Sequence, residues 1–159
     1  MPGDDVTAYT ERLYPSPGVV AAGLVFAAGI GVVVLPLGTA VAAGTFVVAV
    51  GALAALLVRG AATVSVTATA DGGTFTAGPA RLPLGVVGDV EALDGEQMRH
   101  ARGRGLDARA YLCLRGWVPT GVRVHLRDPA DPAPYWLVSS RHPAALAAAL
   151  SAAARSATE

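Results

Sequence analysis

Four carboxylates crowd residues 89–96, and carboxylate oxygens are the ligands that hard cations prefer. They are Asp89, Glu91, Asp94 and Glu96. Calcium loops place their ligands at alternate positions around a glycine, and this spacing does not match that pattern. Asp89 and Glu91 would share one face of a strand, which is typical of a solvated strand edge. We therefore predict no metal ion and no cofactor here.

The histidines and the single cysteine also lack catalytic spacing. His100, His125 and His142 are 25 and 17 residues apart, without the paired spacing of a metalloenzyme helix. Cys113 lies in an apolar stretch, which predicts a buried, inert thiol. No phosphate-binding or dinucleotide-binding glycine motif is present, so no small-molecule substrate is evident. We expect no enzyme, although an unrecognised activity using His125 or the acidic cluster stays open.

The arginines are the residues that most plainly suggest a binding surface. All 12 basic residues are arginines and 12 acids balance them, so the net charge does not favour nucleic acid. Five arginines fall within 17 residues: Arg99, Arg102, Arg104, Arg109 and Arg115. Residues 95–107 are interrupted by glycines and are predicted to form a long connection. We expect Arg99, Arg102 and Arg104 to contact lipid or a partner, and Arg109 to pair with Asp107 or Asp94.

Residues 18–58 contain no charged residue and no histidine over 41 positions. One straight helix of that length would be about 60 Å long, twice the thickness of a hydrocarbon core. Two spans fit better, at about 18–35 and 38–58, because Pro36 and Gly38 favour a break between them. The segment before them lacks the basic start of a signal peptide, so cleavage is not favoured.

The flanking arginines set the expected orientation. Arg12 precedes the apolar run and Arg59 follows it, while residues 35–39 carry no charge. The positive-inside bias then predicts a multi-pass protein of the cell membrane with both termini in the cytoplasm. Residues 1–17, with three prolines, are predicted to be an irregular or interfacial cytoplasmic segment.

After Arg59 the apolar pattern changes to the period of two that is typical of strands. Residues 111–117 and 122–128 are predicted to pair as a hairpin, because the second of them alternates apolar and charged positions strictly. Leu146 and Leu150 follow Pro143 at helical spacing. Residues 61–154 are therefore expected to form a cytoplasmic α+β domain, a small antiparallel barrel or sheet with a C-terminal helix. The other predicted strands are residues 63–69, 74–77, 80–84, 86–93 and 135–139.

Several motifs resemble a known family. The chain carries Tyr-Thr-Glu-Arg-Leu at residues 9–13 before the apolar run and Ala-Arg-Leu-Pro-Leu at 80–84. Near the end it carries Asp-Pro-Ala-Asp-Pro-Ala-Pro-Tyr-Trp at 128–136 and Ser-Ser-Arg-His-Pro at 139–143. These are similar to the actinobacterial membrane protein family called domain of unknown function 3093, over about residues 9–150. The resemblance implies a soluble part like a bacterial pleckstrin-homology domain and implies no activity.

The sequence thus favours a membrane-anchored, non-catalytic binding or scaffold module. Membrane lipids surround its spans, and a protein partner is possible but is not identified by any motif. The alternative is an accessory subunit of a membrane enzyme or transporter complex.

Overall fold

The computed structural model describes residues 6–69, 72–128 and 131–157. These residues form two compact units. The helical unit is Tyr14–Ala61, and the β unit combines residues 6–13 with the described part of 62–159. The β unit is therefore discontinuous in sequence, because the helical unit is inserted into it.

The helical unit consists of two apolar helices, as predicted. α1 is Pro17–Val34 and α2 is Thr39–Gly60, with a short 3₁₀ turn at Leu35–Leu37. Ser16 caps α1 by accepting a hydrogen bond from the Val19 N–H, and Pro17 occupies the first turn, where a missing N–H costs nothing. Gly38, at φ 113°, adopts the positive φ that the turn requires.

The two helices contact each other at small residues. A Cβ atom placed on Gly23 would lie 2.6 Å from a methyl carbon of Leu53, so a larger residue there would require the Leu53 side chain to shift. Ala27, Gly31 and Ala42 are buried, while most larger side chains stay exposed, Val25 by 74% and Val33 by 79%. Pro17–Leu37 and Thr39–Gly60 both have a mean hydropathy of 2.5 and are long enough to cross a membrane. Only 11% and 6% of an 18-residue window in each segment is buried, whereas the core helix of a soluble protein is mostly buried.

The first sheet corrects one prediction. It consists of β1 (Val6–Leu13), β2 (Ala62–Ala68), β3 (Thr74–Ala77) and β4 (Ala80–Pro83), all antiparallel and in that order. Residues 1–17 were expected to be irregular or interfacial, but residues 6–13 are an edge strand paired with β2 from end to end. Residues 1–5 lie outside the described part. Leu13 pairs with Ala62, so the residues before and after the helical unit lie opposite each other on neighbouring strands.

The second sheet corrects the predicted hairpin of residues 111–117 with 122–128. Its strands are β5 (Val87–Leu93), β6 (Tyr111–Cys113), β7 (Gly121–Leu126) and β8 (Tyr135–Ser139), in the order β5-β7-β8-β6. The predicted hairpin of residues 111–117 with 122–128 is wrong, because β8 lies between β6 and β7, and β6 runs parallel to β8. Every residue of β8 is buried, and such an apolar strand takes a central place with more polar strands beside it.

Two helices complete the β unit: α3 (Gly95–Ala101) and α4 (Pro143–Ser156). The main core joins the inner faces of both sheets with α4, whose Leu146 and Leu150 are fully buried as predicted. A smaller cluster sets Met98 and Ala101 of α3 against Leu137, on the other side of the second sheet. The architecture is thus α+β with two open sheets and not a closed barrel.

Candidate functional site

The arginines predicted as contact residues lie at the end of α3, where a connection was expected. The prediction of a loop over residues 95–107 is wrong for Gly95–Ala101 because local capping starts a helix there. Asp94 Oδ1 accepts the Gln97 N–H at 2.8 Å, and Gln97 Oε1 accepts the Asp94 N–H at 2.9 Å. This reciprocal pair is a capping box. Met98, 1% exposed, then anchors the helix on the sheet.

Arg99, Arg102 and Arg104 are all exposed. Arg99 Nε donates to the Gly95 carbonyl at 3.1 Å, and none of the three forms an ion pair with a described residue. Part of their role is structural, because cations near a helix C-terminus stabilise its unpaired carbonyls. Their guanidinium groups nevertheless leave most of their N–H donors directed to solvent, and a partner can use those donors.

The chain beyond α3 is fastened to the sheet rather than loose. Tyr135 accepts the Asp107 N–H at 2.8 Å and donates its hydroxyl to the Gly105 carbonyl at 3.3 Å. Arg109 pairs with Asp107 at 3.0 Å, which confirms one of the two predicted pairings. The hydrogen bonds from Arg109 hold the pKa of Asp107 below its usual value. Arg99, Arg102 and Arg104 thus belong to an ordered segment, which we call the ordered platform and which consists of α3 and the chain to Arg109 that is hydrogen-bonded to Tyr135.

The four carboxylates of residues 89–96 do not converge. Glu91 pairs with Arg123 at 2.9 Å, and the carboxylate of Asp94 accepts the N–H groups of Glu96 and Gln97 in the capping box. Asp89 lines a separate recess beside Arg127. Within the described ranges no group of three His, Cys, Asp or Glu residues is arranged to hold a metal ion.

The three histidines are also dispersed. His125 Nε2 lies 3.9 Å from Glu91 Oε1, and His142 Nδ1 lies 3.9 Å from Glu11 Oε1. His100 lies in a shallow recess of about 410 Å³ that Glu91 also lines. The His125–Glu91 pair is thus the geometry closest to the predicted alternative of an unrecognised enzyme. Cys113, 3% exposed, is buried as predicted, and burial raises the pKa of its thiol.

The densest polar network, missed at the sequence level, joins the two ends of the chain. Glu11 of β1 accepts hydrogen bonds from the Ser140 hydroxyl at 2.6 Å, the Tyr9 hydroxyl at 2.8 Å and the Arg141 N–H at 2.9 Å. Its side chain is only 9% exposed. We call Glu11, Tyr9, Ser140 and the Arg141 N–H the Glu11 clamp. Its members lie in the motifs at residues 9–13 and 139–143, and no local pattern in the sequence links the two.

The electrostatics of the Glu11 clamp follow from these donors. Burial alone would raise the pKa of Glu11, but the hydrogen bonds of the clamp and the nearby His142 together hold that pKa below its usual value. Burial raises the pKa of the Tyr9 hydroxyl. Ser140 is fully buried and donates to a carboxylate rather than to an imidazole, so it lacks the geometry of an activated nucleophile. The clamp fastens β1 to the start of α4.

These features define a class of protein: a small α+β unit interrupted, between two paired strands, by two helices apolar enough to span a membrane. The chain belongs to the family described as "Protein of unknown function (DUF3093)", whose model matches residues 8–150. This confirms the family resemblance. No curated protein and no solved structure matches the chain. The likeness to a pleckstrin-homology domain stays a prediction.

Proposed function

We propose that the chain is a non-catalytic binding module anchored in the cell membrane by a hairpin formed by α1 and α2. The observation that carries the proposal is the register of β1 and β2, in which Leu13 pairs with Ala62. Paired strands must lie on the same side of a bilayer. A chain folded in this way can cross only an even number of times between those two residues.

The composition of the helices supports the anchor. Their exposed valines, leucines and phenylalanines form an apolar surface that water does not favour, and a hydrocarbon core would cover it. Arg12 and Arg59 flank the segment, and the turn between the helices is uncharged. The positive-inside bias therefore favours a cytoplasmic β unit with both termini inside.

The binding role is proposed for the exposed arginines at the C-terminal end of α3 and just beyond it. Arg99, Arg102 and Arg104 occupy an ordered platform and have no described carboxylate partner. Guanidinium groups of this kind suit anionic lipid or an acidic protein surface.

A cysteine-labelling scan tests the anchor. Thr39→Cys reports the turn between the helices, Ser156→Cys reports the end of α4, and the buried Cys113 of the unaltered chain gives the background. A membrane-impermeant maleimide should label Thr39→Cys in intact cells and Ser156→Cys only after lysis. Labelling of both from the same side would overturn the hairpin, and extraction of the protein by alkaline carbonate would overturn the anchor.

A photo-crosslinking residue tests the binding role. It is placed at Arg102 and, as a matched control, at Arg155, another exposed arginine near a helix end. We expect a discrete adduct at position 102 and none at position 155, and the mass of the adduct separates lipid from protein. Equal adducts at the two positions, or none at either, would contradict a contact role for α3.

A further inference from the structure

The outer face of the first sheet is lined with hydroxyl groups and arginines. Its inner face packs in the main core, while the side chains that alternate outward stay exposed or half-exposed. We call this surface the hydroxyl face; its described members are Thr7, Thr10, Arg12, Thr63, Ser65, Thr67, Thr69, Thr74, Thr76 and Arg81. By contrast, α3 covers part of the outer side of the second sheet.

The register aligns four of these residues in one row across the sheet. Thr10 pairs with Ser65, Ser65 with Thr76, and Thr76 with Arg81. Neighbouring strands lie about 4.8 Å apart, so the row extends over about 14 Å. Beside it a shallow recess of about 300 Å³ is lined by Thr67, Thr69, Thr74, Thr76 and Arg81. The surface is broader than a pocket for one small anion.

The chemistry of the face suits phosphate. Threonine and serine hydroxyls donate single hydrogen bonds, and a guanidinium can donate two in parallel to phosphate oxygens. Arg81 is exposed and pairs with no described side chain, and Arg12 is exposed at the other edge of the sheet. Glu11, the acid of β1, points inward to the clamp. Among the described residues the face therefore carries positive charge and no negative charge.

The position of the face in the chain points to a bilayer. Arg12 and Thr63 are each two residues from the helical unit, which is about 7 Å of strand. We infer that the hydroxyl face binds the phosphate headgroups of the bilayer that the helices enter, an inference that rests on the proposed anchor. The tether keeps those headgroups at high effective concentration, so weak individual contacts suffice. The arginines of α3, which lie beyond the second sheet on the other side of the main core, are then left for a partner.

A headgroup-quenching experiment on the full chain tests this. The chain is reconstituted in nanodiscs of phosphatidylcholine with phosphatidylglycerol, doped with a lipid that carries a nitroxide on its headgroup. A maleimide fluorophore is attached at Thr74→Cys, on the hydroxyl face but far from the tether, or at Arg102→Cys, at the C-terminal end of α3. We expect quenching at least threefold stronger at position 74 than at position 102.

Matched variants separate the possible results. Arg81→Ser should at least halve the quenching at position 74, whereas Arg155→Ser, which removes an arginine outside the face, should leave it unchanged. Stronger quenching at position 102, or equal effects of the two arginine variants, overturns the inference. No quenching at position 74 in discs that hold the protein also overturns it while leaving the anchor intact. Failure of the chain to enter the discs at all refutes the anchor and with it the inference.

Discussion

Replacing Glu11 by glutamine tests whether the Glu11 clamp holds the β unit together. The Arg141 N–H is fixed by the backbone, so glutamine must keep its oxygen toward that donor. Its amide nitrogen then faces the Tyr9 and Ser140 hydroxyls, which can rotate to accept. The variant therefore loses the charge on three hydrogen bonds of 2.6–2.9 Å, and the two hydroxyls must accept from the amide instead of donating to a carboxylate.

The expected loss of stability follows from the number of hydrogen bonds to Glu11. A hydrogen bond to a charged group contributes about 1.5–3 kcal/mol, against about 1 kcal/mol for a neutral pair. Taking the lower part of that range for three bonds, we expect Glu11→Gln to lower the free energy of unfolding by about 2 kcal/mol. In a unit of about 100 residues this corresponds to a fall in Tm of about 10 °C.

The effect should depend on pH in a defined direction. Because the clamp holds the pKa of Glu11 below its usual value, the unfolded chain takes up a proton before the folded chain does as the pH falls. The contribution to stability is therefore complete well above about pH 4.3, the usual value of a glutamate, and is lost as the pH falls toward the folded pKa. The difference between the two proteins should be full at neutral pH and should close below about pH 4.

Urea unfolding of the full chain in detergent, followed by tryptophan fluorescence, measures this. Both tryptophans, Trp117 and Trp136, belong to the β unit, so the signal reports that unit alone. Glu96→Gln, at an exposed glutamate of α3, is the control and should cost no more than about 0.5 kcal/mol. The reasoning is refuted if Glu11→Gln costs no more than the control, or if the difference persists unchanged at low pH.

Three further outcomes follow from the structure. Replacing Tyr14–Ala61 by an Asn-Gly turn should give a soluble, monomeric β unit, because Leu13 and Ala62 already lie opposite each other; aggregation of this protein in size-exclusion chromatography would count against the insertion. Leu150→Ala should lower the free energy of unfolding by about 2–4 kcal/mol in the urea assay, while Leu112→Ala, at a 42% exposed position, should cost under about 1 kcal/mol. Cys113 should react with a maleimide slowly in the native protein and completely in urea; equal rates would show that the core around it is open.

The sequence predicted the elements whose signals are local. The uncharged run with Pro36 and Gly38 predicted two helices and their break, and Leu146 with Leu150 predicted the buried face of α4. The strands predicted at residues 63–69 and 74–77 are also present as β2 and β3, and they pair through a turn in which Gly72 and Gly73 have positive φ angles. In each case the deciding residues lie within a few positions of one another.

The errors have identifiable physical reasons. β1 was missed because its inward positions include Tyr9 and Glu11, which break the apolar alternation, and their partner Ser140 is about 130 residues away. The order of β6, β7 and β8 was missed because β6 and β7, which are neighbours in the sequence, were expected to pair directly, whereas the buried strand β8 lies between them. α3 was missed for a different reason: its capping box was present in the sequence but was outweighed by the nearby glycines.

The polar inner face of β1 has a consequence for the order in which the chain can fold. During synthesis β1 emerges before α1 and α2, and it cannot pair until β2 follows them. Its clamp partners, Ser140 and Arg141, are made later still. An apolar strand waiting in this way would expose an aggregation-prone edge, whereas a strand with Tyr9 and Glu11 on its inner face remains compatible with water. The same polar side chains that suit an unpaired β1 to water then form the Glu11 clamp, which fastens β1 to the segment before α4 in the folded protein.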